Sequence, residues 1–224
     1  QMINASALDN GLHAGDLKFV DLDGNNKIEQ TTSANDRKDM KVIGNSLPRY
    51  NYNFGISADW YGIDFSVLFQ GIGKQNWYPG AETSMFWGPY SRPYASFIPS
   101  DFMSQVWSEE NTDAYFPRPR GYVALGSNRE LAVVNTKYLQ NLAYCRLKNL
   151  SIGYTLPDKW LSKIGFEKIR VYFSGENLLT FTKLHSDYID PEQASASNSW
   201  KTSKSDANIY PWAKTYSFGV DITL

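Results

Sequence analysis

The sequence predicts an all-β chain whose antiparallel strands form part of a transmembrane β-barrel with long loops, and three observations predict it. Over 215–224 every second residue is apolar or aromatic (Tyr216, Phe218, Val220, Ile222, Leu224), while Thr215, Ser217, Gly219, Asp221 and Thr223 between them are small or polar. That period belongs to a strand with one apolar and one polar face. Aromatic residues make up 15% of the 224 residues, yet the mean hydropathy is −0.44. A membrane barrel reconciles the two, because only alternate residues meet lipid and aromatic girdles mark both interfaces. Finally, the connections between alternating runs are of two kinds, very short or very long, as in outer-membrane barrels. A soluble β-sandwich or a lipocalin-like barrel shares the alternation. Against it, the polar face is built of Asn, Ser, Gly, Gln and Asp rather than Lys, Glu and Thr. Trp60, Trp160 and Trp212 also fall at strand ends, where an interfacial girdle needs them.

The elements follow in order. Residues 1–48 read as a loop with an EF-hand-like turn. Residues 49–70 read as a hairpin: Tyr50, Tyr52, Phe54, Ile56, Ala58 and Trp60 alternate with polar residues, and after the turn at Tyr61-Gly62 so do Ile63, Phe65, Val67 and Phe69. Leu68 is the exception. Residues 71–138 form a long loop, with a short helix expected in "SDFMSQVWSEE" after Pro99. A second hairpin spans 139–181, carried by Leu150, Ile152, Tyr154 and Leu156 and by Ile169, Val171 and Phe173. Its link "PDKWLSKIGFEK" has room for one helical turn. Residues 182–212 form another long loop and 213–224 a last strand. The count is about five strands, each near the ~9–11 residues that cross a bilayer at a tilt.

Composition excludes several classes. With 22 basic and 23 acidic residues the formal net charge is −1, which argues against a nucleic-acid partner. A single cysteine, Cys145, rules out an intrachain disulfide framework and makes a cysteine-rich zinc site untenable. A catalytic reading is equally poor. The two histidines, His13 and His185, have no nucleophile motif beside them, and the acidic group Asp187, Asp190 and Glu192 reads as a solvated loop rather than a glycosidase pair. No enzyme is expected.

Several motifs now converge. "GDLKFVDLDGNNKIE", "NDR" and "VIGNSLPRYNYNFGISADWYGIDFSVLFQGIG" resemble a segment of the SusC/RagA family of TonB-dependent outer-membrane transporters. So do "YLQNLAYCRLKNLSIGYTLPDKWLSKIGFEKIRVYFSGENLLTFTK" and "TYSFGVDITL", in the order of the family's C-terminal part. The resemblance implies a large barrel of about 22 strands filled by an N-terminal plug, active nutrient import powered by the TonB complex, and a SusD-like surface lipoprotein as a lid. It implies that this chain is one piece of a longer polypeptide, since five strands cannot close a barrel. It also implies an assembly signal in the last strand, matched by Ser217, Gly219, Ile222 and Leu224. The departure is Leu224, where the family more often ends on Phe.

Three further groups of residues are candidates. "DLDGNNKIE" places Asp21, Asp23 and Asn25 at the first, third and fifth positions of a calcium loop, with the Lys27 carbonyl at the seventh. Asn26 replaces the usual Gly, and Thr32 stands where a bidentate Glu is normal, so Glu29 or Asp36 would have to substitute. A structural Ca²⁺ and an Asx-turn loop held by its own side chains both fit this pattern. Trp77, Tyr78, Phe86, Trp87, Tyr90, Tyr94 and Phe97 crowd one loop, as packing, as partner anchors or as stacking platforms for substrate. In a regular strand Arg146 and Lys148 share the lipid-facing parity of Leu150. They are expected above the outer interface, against lipopolysaccharide phosphates, unless a bulge turns them inward.

Overall fold

The structure, a computed structural model, describes residues 13–31, 33–91, 98–126, 130–162, 165–197, 204–205 and 210–224. In chain order its strands are β1 (Arg49–Trp60), β2 (Ile63–Lys74), β3 (Asn76–Pro79), β4 (Gln140–Asn141), β5 (Tyr144–Thr155), β6 (Lys168–Thr182), β7 (Lys204–Ser205) and β8 (Thr215–Thr223). The helices α1 (Ser84–Trp87), α2 (Asp158–Leu161) and α3 (Pro191–Ser197) are short. The long strands make one antiparallel sheet in the order β1-β2-β5-β6-β8, and the short ones a second in the order β4-β3-β7. No helix among the described residues is long and apolar enough to cross a membrane.

Two compact units divide the chain. One takes the described residues of Leu47–Asn76, Asn141–Ala196 and Ile209–Leu224, and contains the five-stranded sheet. Its register is set where the sequence suggests. Tyr61 and Gly62 both have positive φ, 47° and 83°, so β1 and β2 join through the two-residue turn that matches strand twist. Pairing then runs from Trp60↔Ile63 to Arg49↔Lys74. β5 and β6 are joined through α2, the single turn expected there. The end bearing these short links also carries Trp60 and Trp160, 68% and 61% exposed. Long connections leave from the other end.

The register aligns the apolar residues of all five strands on one face. Ile56, Val67, Leu150, Gly175 and Tyr216 form one row, and Ala58, Phe65, Ile152, Phe173 and Phe218 the next. Phe54 stacks on Phe69 at 5.0 Å and Phe173 meets Phe218 at 5.1 Å. This surface is bare: Phe54, Ile56, Phe218, Val220 and Ile222 are each at least half exposed. An apolar face of that extent suits lipid and not water.

Two glycines are built into the wall. Tyr52 lies across Gly71 and donates its hydroxyl to the Tyr144 carbonyl at 2.9 Å, reaching over β2 to β5. On the opposite face Tyr172 covers Gly219. A side chain at either glycine would meet the covering ring.

The second unit takes the described residues of Gln1–Ser46, Trp77–Gln140 and Ser197–Asn208. It has little regular structure, because Pro and Gly punctuate it and its cohesion is aromatic. The helix expected over 100–110 shrinks to one 3₁₀ turn at Phe102–Gln105. Val106 then leaves helical backbone to bridge Phe116, both buried. Burying this pair overrides the local helical signal.

Candidate functional site

The face opposite the apolar one is polar and is the lumenal side of such a wall. From β1 it carries Asn51, Asn53, Ser57 and Asp59, from β2 Asp64, Ser66 and Gln70, from β5 Ser151 and from β6 Ser174. Near the short-turn end Arg170 crosses Gly153 to reach Asp64, Nε to Oδ1 at 2.8 Å and Nη2 to Oδ2 at 2.6 Å. Its Nη1 donates to Asp221 at 3.2 Å, and its guanidinium stacks on Tyr172 at 4.8 Å. Gly153 is required, since a Cβ there would occupy the space of this bidentate pair. One arginine thereby ties β2, β6 and β8 across four strands.

The expected lipid-facing place of Arg146 is corrected by a bulge. Leu68 pairs with Asn149 and Phe69 with Leu147, so Lys148 is the extra residue. One inserted residue exchanges the two faces of a strand. Leu150 therefore faces out with Val67, while Arg146 faces in with Gln70. Arg146 is 2% exposed and paired with Asp190, Glu192 and Thr180. Lys148 meets the same Glu192 at 3.2 Å. Arg146, buried and turned inward, does not take the place expected for it against lipopolysaccharide phosphate. Asp190 and Glu192 are likewise ion-paired and largely buried, not a solvated loop.

The aromatic loop residues form a core. Trp77, Tyr78, Phe86, Trp87 and Tyr90 are all 2% exposed or less, and Phe102, Phe116 and Tyr138 join them. Phe86 and Trp87 pack edge to face at 4.8 Å, and Phe102 and Phe116 stack at 4.7 Å. The polar tips of Tyr78, Trp87 and Tyr90 are spent within the core. The Tyr78 hydroxyl donates to the Leu131 carbonyl at 2.7 Å, Trp87 Nε1 donates to the Gly80 carbonyl at 3.0 Å, and the Tyr90 hydroxyl donates to the Pro117 carbonyl. Burial pushes the Tyr78, Tyr90 and Tyr138 phenols far above their ordinary range. These rings offer no surface to a substrate or partner. Tyr94 and Phe97 lie outside the described residues.

The acidic loop is arranged as Asx turns. Asp21 accepts the N–H groups of Gly24 at 2.7 Å and Asn26 at 2.8 Å, and Asn26 takes the positive φ of 61° expected of it. Desolvation pushes the Asp21 carboxyl up, but those N–H groups outweigh it and hold the group below its ordinary value. Asp23 accepts the Asn25 N–H at 3.1 Å, and Asn25 accepts that of Lys27 at 2.8 Å. Glu29 and Asp36 do not complete a ligand set with Asp21 and Asp23; both pair with Lys38, at 3.8 and 3.4 Å. The third carboxylate is Asp39, which the spacing did not single out. It binds the N–H groups of Leu22 at 2.6 Å and Glu29 at 2.7 Å. One oxygen each of Asp21, Asp23 and Asp39 lies within 4.8 Å of the others. In the last strand Ser217 and Gly219 sit on the polar face, and Ile222 on the apolar face. Leu224 follows the strand, 83% exposed.

A sheet with lipid on one side and a polar, ion-paired lumen on the other is the wall of a transmembrane β-barrel. No family model matches the chain. It is 31% identical over 210 residues to TonB-dependent receptor P3 of Formosa agariphila, covering 91% of this chain and 18% of that protein. TonB-dependent receptor P26 of the same organism is 25% identical, across 99% of the chain and 21% of the receptor. Among solved structures, one of the RagAB peptide transporter superposes with a TM-score of 0.58 at 22% identity, over 88% of this chain and 19% of that one. The RagAB peptide importer in its closed-closed state gives 0.56 at 23% identity, over 92% and 20%. The chain thus spans about a fifth of the length of the proteins it matches; it is homologous to one stretch of the TonB-dependent receptors and shares the barrel-wall fold of the RagAB structures.

Proposed function

We propose that the chain supplies barrel wall and surface loops to a TonB-dependent importer of the bacterial outer membrane, which takes up a peptide or glycan nutrient. The observation that carries this is the register: five strands align their apolar residues into one bare face and their polar residues into the other. The outer edges of β1 and β8 support it, because unpaired backbone in hydrocarbon costs several kcal/mol per group, so further strands complete the wall. On this reading a SusD-like lipoprotein closes over the long loops, and the TonB complex acts through parts of the receptor beyond these strands. Ser217, Gly219, Ile222 and Leu224 form the signal read during assembly. Uptake by cells carrying the full-length receptor tests the reading. Import should stop when TonB is deleted or the proton gradient is collapsed, and a surface lipoprotein should copurify from detergent-solubilised outer membranes. Uptake that continues without TonB would instead make the barrel a passive pore.

The convergence of Asp21, Asp23 and Asp39 supports a structural Ca²⁺ in the loop, with Asn25 and the Lys27 carbonyl as further oxygens. Each carboxylate oxygen keeps a lone pair free after accepting its N–H. Calcium should slow proteolysis of residues 16–43 in the full receptor, and Asp39→Asn should abolish the effect while Asp36→Asn leaves it. Equal protection in wild type and Asp39→Asn would remove the ion from the account.

A further inference from the structure

The helix α3 lies in the connection between β6 and β8, and its first residues converge on a single arginine of the wall. Arg146 spends every face of its guanidinium. Nε donates to Thr180 Oγ1 at 2.9 Å, Nη1 to Glu192 Oε2 at 2.7 Å and Nη2 to Asp190 Oδ2 at 2.5 Å. Asp190 is bound from its other side by the helix, its Oδ1 accepting the N–H groups of Glu192 at 2.9 Å and Gln193 at 3.2 Å. Lys148 places Nζ 3.2 Å from both oxygens of Glu192 and 5.3 Å over the Trp212 ring. The Trp212 N–H points at Asp190 Oδ2, 3.4 Å away. One turn further along, Ser195 Oγ donates to Gln75 Oε1 at 2.7 Å.

Two features set this cluster apart from ordinary surface ion pairs. It is buried, with the Arg146 and Asp190 side chains 3% and 5% exposed, and it is balanced, two cations against two carboxylates. A buried, fully bonded set is costly to open, because loss of one partner strands a charge out of water. It is also directional, since a guanidinium fork accepts carboxylates only in its own plane. Because the bulge at Lys148 turns Arg146 to the polar side, the cluster forms on the lumenal face. We propose that α3 is a strap pinned to the inner wall by this Arg146-centred clasp. Residues 184–197 are then a fixed constriction of the lumen at its loop end, not a lid that swings with substrate. The inference rests on the barrel reading for its lumen, and on nothing about what is transported.

Hydrogen exchange of the full-length receptor in detergent tests it, read on peptides covering 184–194. The double change Asp190→Asn, Glu192→Gln removes the acids from the strap and leaves the strands intact. Exchange in 184–194 should rise on the order of 100-fold, with β2, β5 and β6 unchanged. An unchanged rate in 184–194, or an equal rise throughout the wall, overturns the clasp. A second measurement is independent of stability. In a Cys145→Ser background, Gln75→Cys with Ser195→Cys should be joined by a short bis-maleimide in intact outer membranes, and Arg146→Gln should abolish the link. Failure to link with Arg146 present overturns the strap. Protection with normal linking in a receptor that shows no TonB-dependent uptake would sink the import reading and leave the clasp standing.

Discussion

Gly71 and Gly219 look alike in the sequence, each an inconspicuous gap in an alternating strand. A methyl group at Gly71 would run into the Tyr144 backbone carbonyl as well as the Tyr52 ring, whereas at Gly219 the three atoms nearest to it all belong to the Tyr172 side chain. Backbone cannot yield and a ring can. Gly71→Ala should therefore cost about 1–3 kcal/mol and Gly219→Ala clearly less, read from urea unfolding of the receptor in micelles; the reverse order would mean that the two rings are held the other way about. The phenols of the loop core give a second test at this scale. Burial raises the folded values of Tyr78, Tyr90 and Tyr138 above the ordinary phenol value. The unfolded chain therefore loses these protons first. Their contribution to stability is complete below about pH 10 and is lost as pH climbs from there toward the folded values. Alkaline titration followed by phenolate absorbance should show these tyrosines ionising only as the loop core opens. Smooth ionisation at the ordinary value, with the core intact, would contradict their burial.

At the scale of the element, the bulge in β5 decides most. Alternation reads β5 correctly from Asn149 onward and assigns the wrong face before it, because a one-residue insertion leaves no mark in a hydrophobicity pattern. Deleting Lys148 should leave a regular strand in which Leu147 still faces Phe69 and Arg146 still faces Gln70, so Arg146 keeps its polar face and its α3 contacts. Only the half-buried Lys148–Glu192 pair is lost, at a cost of about 0–1 kcal/mol. Urea midpoints and assembly yield in membranes measure it, and a deletion that fails to assemble would show that the pairing on the two sides of Lys148 is not independent of it. The other elements differ from expectation for related reasons. β2 continues to Lys74, beyond the alternating run that ends at 70, because its backbone stays paired with β1 as far as Arg49. The helix expected at 100–110 gives way to a 3₁₀ turn because Phe102 and Val106 are drawn into the aromatic core.

For the whole molecule, the assignment of faces is the claim on which the membrane reading stands. Phe218 and Ser217 are neighbours in β8 but point to opposite sides of the wall. Phe218→Arg should destabilise the barrel by about 2–4 kcal/mol if its level is near the bilayer midplane, and Ser217→Arg should be close to neutral. Equal penalties, or the inverse order, would require a sheet with water on both faces. The same argument explains why an isolated sheet with so much bare apolar surface is not a soluble fold.

Residues 49–60, 63–69, 150–156, 169–173 and 215–224 determine by themselves that the chain is β, where most strands lie and which residues share a face, because a strand repeats every two residues and each face meets one solvent. The tight turn at Tyr61-Gly62 and the Asx turns at Asp21 and Asp23 are legible for the same reason, being set by neighbours a few residues apart. Only tertiary structure decides that Asp39 joins Asp21 and Asp23, that the loop aromatics turn inward on one another, and that Arg146 meets acids 44 and 46 residues away. Such contacts depend on register, on one bulge and on how a long loop returns to the wall. Local sequence carries the period of a strand but not the distance at which its side chains find their partners.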